Sequence, residues 1–151
     1  MNTHATTQGY NMTMQEFADD MGSKSIGRKP ANKDDNLESR VYTAMLVCAK
    51  KTVPLSLVEN NPAGYKILRR VDEITWIRYP EKPSFQSGIG IDIDDELIDA
   101  VQYYVMAGLE AQRAKVLMGM FHSEIDRYNE TLIETFLASA SNDSIKFHQF
   151  P

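Results

Sequence analysis

Apolar residues recur along the second half of the chain with a helical period. Leu97, Ile98, Val101, Tyr104, Val105 and Gly108 share one stripe, and Ala114, Leu117, Met118, Phe121, Ile125, Tyr128, Leu132 and Phe136 form a second. Arg113, Lys115, Glu124, Asp126, Arg127, Glu130 and Glu134 fill the opposite face, so both stretches read as amphipathic helices. Gly108 and Gln112 weaken the stripe between them. A break near Gly108 to Gln112 folds the two into an antiparallel pair. One continuous helix over 94–138 keeps nearly the same phase and stays open, although it is long for a globular helix.

Two earlier stretches carry the same period. Leu37, Val41, Ala44, Met45 and Cys48 lie on one face of a helix over 36–51, which Asp34, Asp35 or Asn36 can cap and which ends before Val53-Pro54. Lys50 and Lys51 place positive charge at its C-terminal end. Further upstream, Thr13 with Glu16 three residues on forms a capping box. Met14, Phe17, Ala18 and Met21 then share a face up to a stop at Gly22. The surroundings of this short helix are polar, so residues 1–35 as a whole read as an N-terminal arm.

The pattern changes between the helices. Leu55 to Val58 is ambiguous, and Asn60-Asn61-Pro62-Ala63-Gly64 is a turn by its residue types. Residues 65–71 and 74–79 read as two strands of a β-hairpin around Asp72-Glu73, although the first also fits a turn of helix. In the second, Ile74, Trp76 and Arg78 point one way and Thr75, Ile77 and Tyr79 the other. Pro80 and Pro83 end the strand, and residues 80–91 read as an extended loop, exposed over Ser84 to Gly90. Residues 139–151 lose the helical period and read as a C-terminal tail, with Phe147 and Phe150 as docking side chains. The fold expected is therefore mainly α with a small β-hairpin. It is an antiparallel helical bundle over 36–138, with an extended loop and N- and C-terminal arms.

Composition narrows the class. With 151 residues, a single domain burying about 70% of its unfolded surface is expected. Sixteen Lys and Arg against 21 Asp and Glu argue against a surface that grips nucleic acid throughout. The basic stretch Lys24, Arg28, Lys29 and Lys33, which has no acid among its residues, still allows a local contact with phosphates or an acidic partner. The single cysteine, Cys48, falls on an apolar stripe and reads as a buried small hydrophobe, in keeping with a reducing compartment. Neither a secretory signal nor a membrane span is expected from the apolar runs. Eight methionines fit ordinary core filling better than a soft partner surface.

No constellation of catalytic type stands out. Asp92, Asp94, Asp95, Glu96 and Asp99 invite a calcium loop, but position 6 counted from Asp92 is Leu97 and position 12 is Tyr103. Helix capping is the better reading, and neither metal nor cofactor is expected. His4, His122 and His148 are scattered, with a hydrogen bond from His122 to Asp126 the ordinary expectation. No nucleophile, zinc or phosphate-loop motif occurs, so an enzyme is not expected. Trp76, Tyr79, Phe85, Tyr103 and Tyr104 cluster around the loop. Trp76 and Tyr104 read as core, while Arg78, Tyr79 and Phe85 are of the types that anchor interfaces.

The run Ile-Arg-Tyr-Pro-x-x-Pro from Ile77, followed by a loop, Ile-Asp-Ile-Asp-Asp-Glu-Leu over 91–97, Ala-Val-x-Tyr-Tyr-Val over 100–105 and a second helix with Phe121, Ile125 and Tyr128, resembles the head-to-tail connector proteins of tailed bacteriophages. These are also called adaptor, ring or head-completion proteins. The resemblance covers residues 68–132, under half the chain, and its motifs are degenerate. It implies a virion structural protein assembled in the host cytoplasm as a closed homo-oligomeric ring of twelve copies in the neck. Such a ring docks under the portal protein, extends and seals the DNA channel and offers a platform to the next ring or tail protein. DNA passes through its lumen without specific binding. Residues 79–91 and one or both terminal segments would reach its neighbours. The rival reading is a small cytosolic regulatory or nucleic-acid-binding helical protein that uses the basic segment 24–33.

Overall fold

The computed structural model describes residues 10, 12–25 and 36–142, with side chains up to residue 135. Helix α1 (Met14–Lys24) opens with the expected capping box. Thr13 Oγ1 accepts from the Glu16 amide at 3.0 Å, and Glu16 Oε1 accepts from the Thr13 amide at 2.9 Å. Gly22 does not stop the helix, which runs on to Lys24. The reason is tertiary: the Lys24 ammonium bonds Asp99 at 2.7 Å, and Arg113 Nη1 donates to the Lys24 carbonyl at 3.3 Å. Met14, Phe17, Ala18 and Met21 are all buried in the main core. Across its described residues, therefore, the expected N-terminal arm is part of the core.

Helix α2 (Leu37–Lys51) buries the face its period predicts, Leu37, Val41, Ala44, Met45 and Cys48. Asn36 begins it in the left-handed region (φ 52°) and makes no side-chain cap; Asp34 and Asp35 lie outside the described residues. The C-terminal carbonyls are met by neighbours. Thr52 Oγ1 donates to Cys48 O at 2.7 Å, Asn129 to Lys51 O at 3.2 Å, and Arg69 to Ala49 O at 3.2 Å and to Thr52 O. A guanidinium at this position also suits the negative end of the helix dipole.

The hairpin gains a third strand. β1 (Val58–Glu59) is drawn from the ambiguous stretch and pairs antiparallel with β3 (Thr75–Arg78). β3 also pairs with β2 (Ile67–Asp72), so the order is β1-β3-β2. Ile77 faces the core opposite Val58, while Trp76 lies opposite Glu59 and Arg70. Trp76 is only half-buried rather than core, and the Arg70 guanidinium covers its ring at 5.2 Å.

The extended loop is exposed at Glu81 and Lys82 and again at its tip, Gln86 to Gly88. Pro80, Pro83, Gly90 and Ile91 are buried. The Ile91 amide donates to Met12 O, Phe85 N to Glu38 Oε2 at 2.6 Å and Lys82 to Ser39 at 3.1 Å, tying the loop to α1 and α2. A Cβ at Gly90 would lie 2.5 Å from the Met12 carbonyl, so only glycine allows the two backbones to meet there.

A 3₁₀ turn (Asp95–Leu97) leads into α3 (Ile98–Leu109). A second (Ala111–Arg113) separates it from α4 (Ala114–Asn142), which runs back along α3. The break falls where the weakened stripe places it. Val101, Val105, Leu117, Phe121 and Ile125 fill the seam, and Tyr104 meets Phe121 edge-on at 5.2 Å. Tyr104 is half-buried against this core rather than within it. Helix α4 continues past residue 138 to Asn142, so the tail expected from 139 begins later; residues 143–151 lie outside the described set.

Candidate functional site

Two buried aspartates organise the junction between the sheet and the helix pair. Asp92 receives Arg78 through two nitrogens, Nη1 at 2.7 Å and Nη2 at 3.0 Å, and the Glu81 amide at 2.8 Å. Arg78 also lies 3.6 Å from Glu59 and donates to the Ser56 carbonyl at 3.3 Å. Asp94 receives the Leu55 amide at 2.9 Å, the Ser56 amide at 2.8 Å and the Tyr128 hydroxyl at 2.6 Å. Tyr128 reaches Val53 O at 3.0 Å as well. These carboxylates therefore tie the chain before β1 to the start of α3 and the middle of α4. Capping was the expected role, yet Asp94 makes no side-chain cap at the turn it precedes. Among the described residues no group of three or more His, Cys, Asp or Glu is placed to hold a metal ion.

The interface residues expected from the sequence are dispersed. Arg78 is engaged by Asp92 and Glu59 within the chain, and its side chain keeps 18% exposure. Tyr79 stands beside it in a shallow groove of about 360 Å³ shared with Glu59, Tyr65 and Glu81, and Lys66 lies 4.5 Å over its ring. Phe85 packs partly against the core above Glu38, away from that groove. Lys24 belongs to the α1–α3 contact, bonded to Asp99 and Gln102 and 5.7 Å from the Tyr103 ring. Arg28, Lys29 and Lys33 lie outside the described residues. The structure thus brings Arg78 and Tyr79 together and separates them from Phe85 and Lys24.

A second groove, also about 360 Å³, lies between the start of α3 and the C-terminal half of α4. Sequence reasoning missed it. The available signal was Tyr128, whose hydroxyl on an apolar stripe needs a polar partner and so brings a second chain segment to α4. The exposed large apolar side chains fall on unlike elements. Among the described residues, Val71 and Ile74 sit at the hairpin turn, Val116, Met120 and Ile133 on α4, Leu55 ahead of β1 and Tyr65 ahead of β2.

Burial pushes the Cys48 thiol up to about 12, and burial followed by the Asp94 bond pushes the Tyr128 phenol well above its ordinary range. Burial followed by the Glu81 bond does the same for Tyr10. All three hold protons in the folded state that the unfolded chain releases near pH 9.0 for the thiol and 10.0 for the phenols. Their stabilisation is therefore complete below pH 9.0 and is lost as the pH rises above it. Urea unfolding at pH 8 to 11 is expected to show that decline, and Tyr128→Phe should flatten it; a level profile would contradict these protonation states.

No known protein family, no curated protein and no solved structure matches the chain. Among the described residues no helix is long and apolar enough to cross a membrane.

Proposed function

We propose that this chain is the ring subunit of a head-to-tail connector of a tailed bacteriophage. It docks beneath the portal, extends and seals the DNA channel and presents a platform for tail components. One observation carries the reading beyond the resemblance of residues 68–132. Among the described residues, exposed large apolar side chains stand on unlike elements, among them Ile74 (68% exposed) at the hairpin turn and Val116 (63% exposed) on α4. A closed ring with more than two copies joins each subunit to the next through different patches, so it needs two such surfaces. The acidic balance, a formal net charge of −5, suits a lumen that DNA passes without being held.

The alternative, nucleic-acid binding through residues 24–33, draws no support from Lys24, whose ammonium is engaged by Asp99 and Gln102. The interface test is a substitution at an exposed position. Ile74→Glu is expected to leave the thermal midpoint within a few degrees and to convert assembled rings to monomers, read by light scattering. Rings that persist unchanged would remove the hairpin from the contact.

A further inference from the structure

Ile74 and Val116 are the two most exposed large apolar side chains among the described residues, and they stand beside charges of opposite sign. Ile74 follows Asp72 and Glu73 in the turn between β2 and β3, and Val116 follows Lys115 in the first turn of α4. Within the described residues neither the Glu73 carboxylate nor the Lys115 ammonium has a partner. The turn is fixed by its own bonds. Arg70 donates to the Asp72 carbonyl at 2.8 Å and to the Glu73 carbonyl at 2.9 Å, and the Ile74 amide donates to Asp72 Oδ1 at 2.9 Å. Little of it is therefore left to order when it meets a partner.

We infer that the β2–β3 turn of one copy seats on the first half of α4 of the next. The inference rests on the ring reading and names the surface that the hairpin engages. Val116, Gly119 and Met120 lie three and four residues apart, so they share one side of α4. All three are exposed, and a Cβ added at Gly119 would meet nothing within 4 Å. That leaves a notch beside Val116 and Met120 for a branched side chain such as Ile74. Lys115, one helical turn before Gly119, flanks the notch where Glu73 would arrive.

Charge selects this surface over the other exposed apolar positions. Residues Ala114 to Ser123 include Lys115 and no Asp or Glu. Ile133 lies between Glu130 and Glu134 along α4. Leu55 opens on a groove lined by Asp95, Glu96 and Asp99 against a single Arg127, which pairs with Glu124. Both places would repel an acidic turn. Tyr65 shares its groove with charges of both signs. The occupant is a second copy because Ile74 and Val116 are both exposed in a single one, so the hairpin does not cover its own α4. Each copy then offers its turn to one neighbour and its α4 to the other, the head-to-tail pattern that a ring requires.

The test uses full-length protein with a photo-reactive benzophenone side chain in place of Val71, as a mixture of isotopically light and heavy copies assembled with a tailed-phage portal protein. Light-to-heavy crosslinks to the peptide containing Val116 and Met120 are expected. Glu73→Lys should reduce them about tenfold, as should Lys115→Glu. Mixing Glu73→Lys copies that carry the probe with Lys115→Glu copies should restore them, which also shows that both variants remain folded. Crosslinks to the portal or to the Leu55 groove instead of this peptide, crosslinks within one copy only, or a yield indifferent to the reversals would overturn the inference. Native mass separates the two readings. Closed rings on the portal without these crosslinks sink the inference alone. The expected crosslinks in open chains that never close into a ring support the contact and sink the ring.

Discussion

Arg78→Ala is expected to lower the free energy of unfolding by about 3–5 kcal/mol, because it strips the partner from a buried carboxylate. The Asp92 side chain keeps 9% exposure and is met by two guanidinium nitrogens at 2.7 and 3.0 Å. Without Arg78, Asp92 would lie near Glu59 and Glu81 with no compensating charge, although its bond from the Glu81 amide would survive. The variant removes more than one contact, since the same guanidinium bridges β3 to the Ser56 carbonyl and to the start of the acidic run. Arg78→Lys should fall between the two, as an ammonium keeps the charge and loses the paired geometry. Urea titration reads all three proteins. A loss under about 1 kcal/mol for Arg78→Ala, the range of an exposed ion pair, would show that Asp92 is not buried as described.

Phe17→Ala is expected to be as damaging, at about 3–5 kcal/mol, the usual range for emptying a buried aromatic site. Phe17 is fully buried, among Met14, Met21 and the rest of the main core, and the Met12 carbonyl ties the chain ahead of α1 to Ile91. Were residues 12–25 an arm lying free of the core, the same change would stay within about 0.5 kcal/mol. The two outcomes are far enough apart for a single denaturation curve to decide between them.

Periodicity made the helices legible. The stripes of α2, α3 and α4, the break near Gly108 and the capping box at Thr13 are local patterns, and local patterns survive in a sequence. What lay beyond reach depended on partners distant in the chain. Gly22 has the residue type of a helix stop, yet the contacts of Lys24 with Asp99 and Arg113 carry α1 past it. The stretch before β1 looked ambiguous because its order comes from Asp94, 38 and 39 residues away. Asp92 and Asp94 resembled helix caps by position, and nothing local distinguishes a cap from a carboxylate that clamps another segment. Phe85 and Arg78 have the composition of an interface, but composition does not reveal that one packs on the core and the other is bound by a neighbouring acid. The groove between α3 and α4 appears only once Tyr128 is brought to Asp94.

Native mass spectrometry of the purified chain, alone and mixed with a tailed-phage portal protein, tests the proposed assembly most directly. A discrete complex carrying one closed ring of this subunit on the portal is the predicted result. A monomer or dimer that ignores the portal at every concentration tried would contradict it.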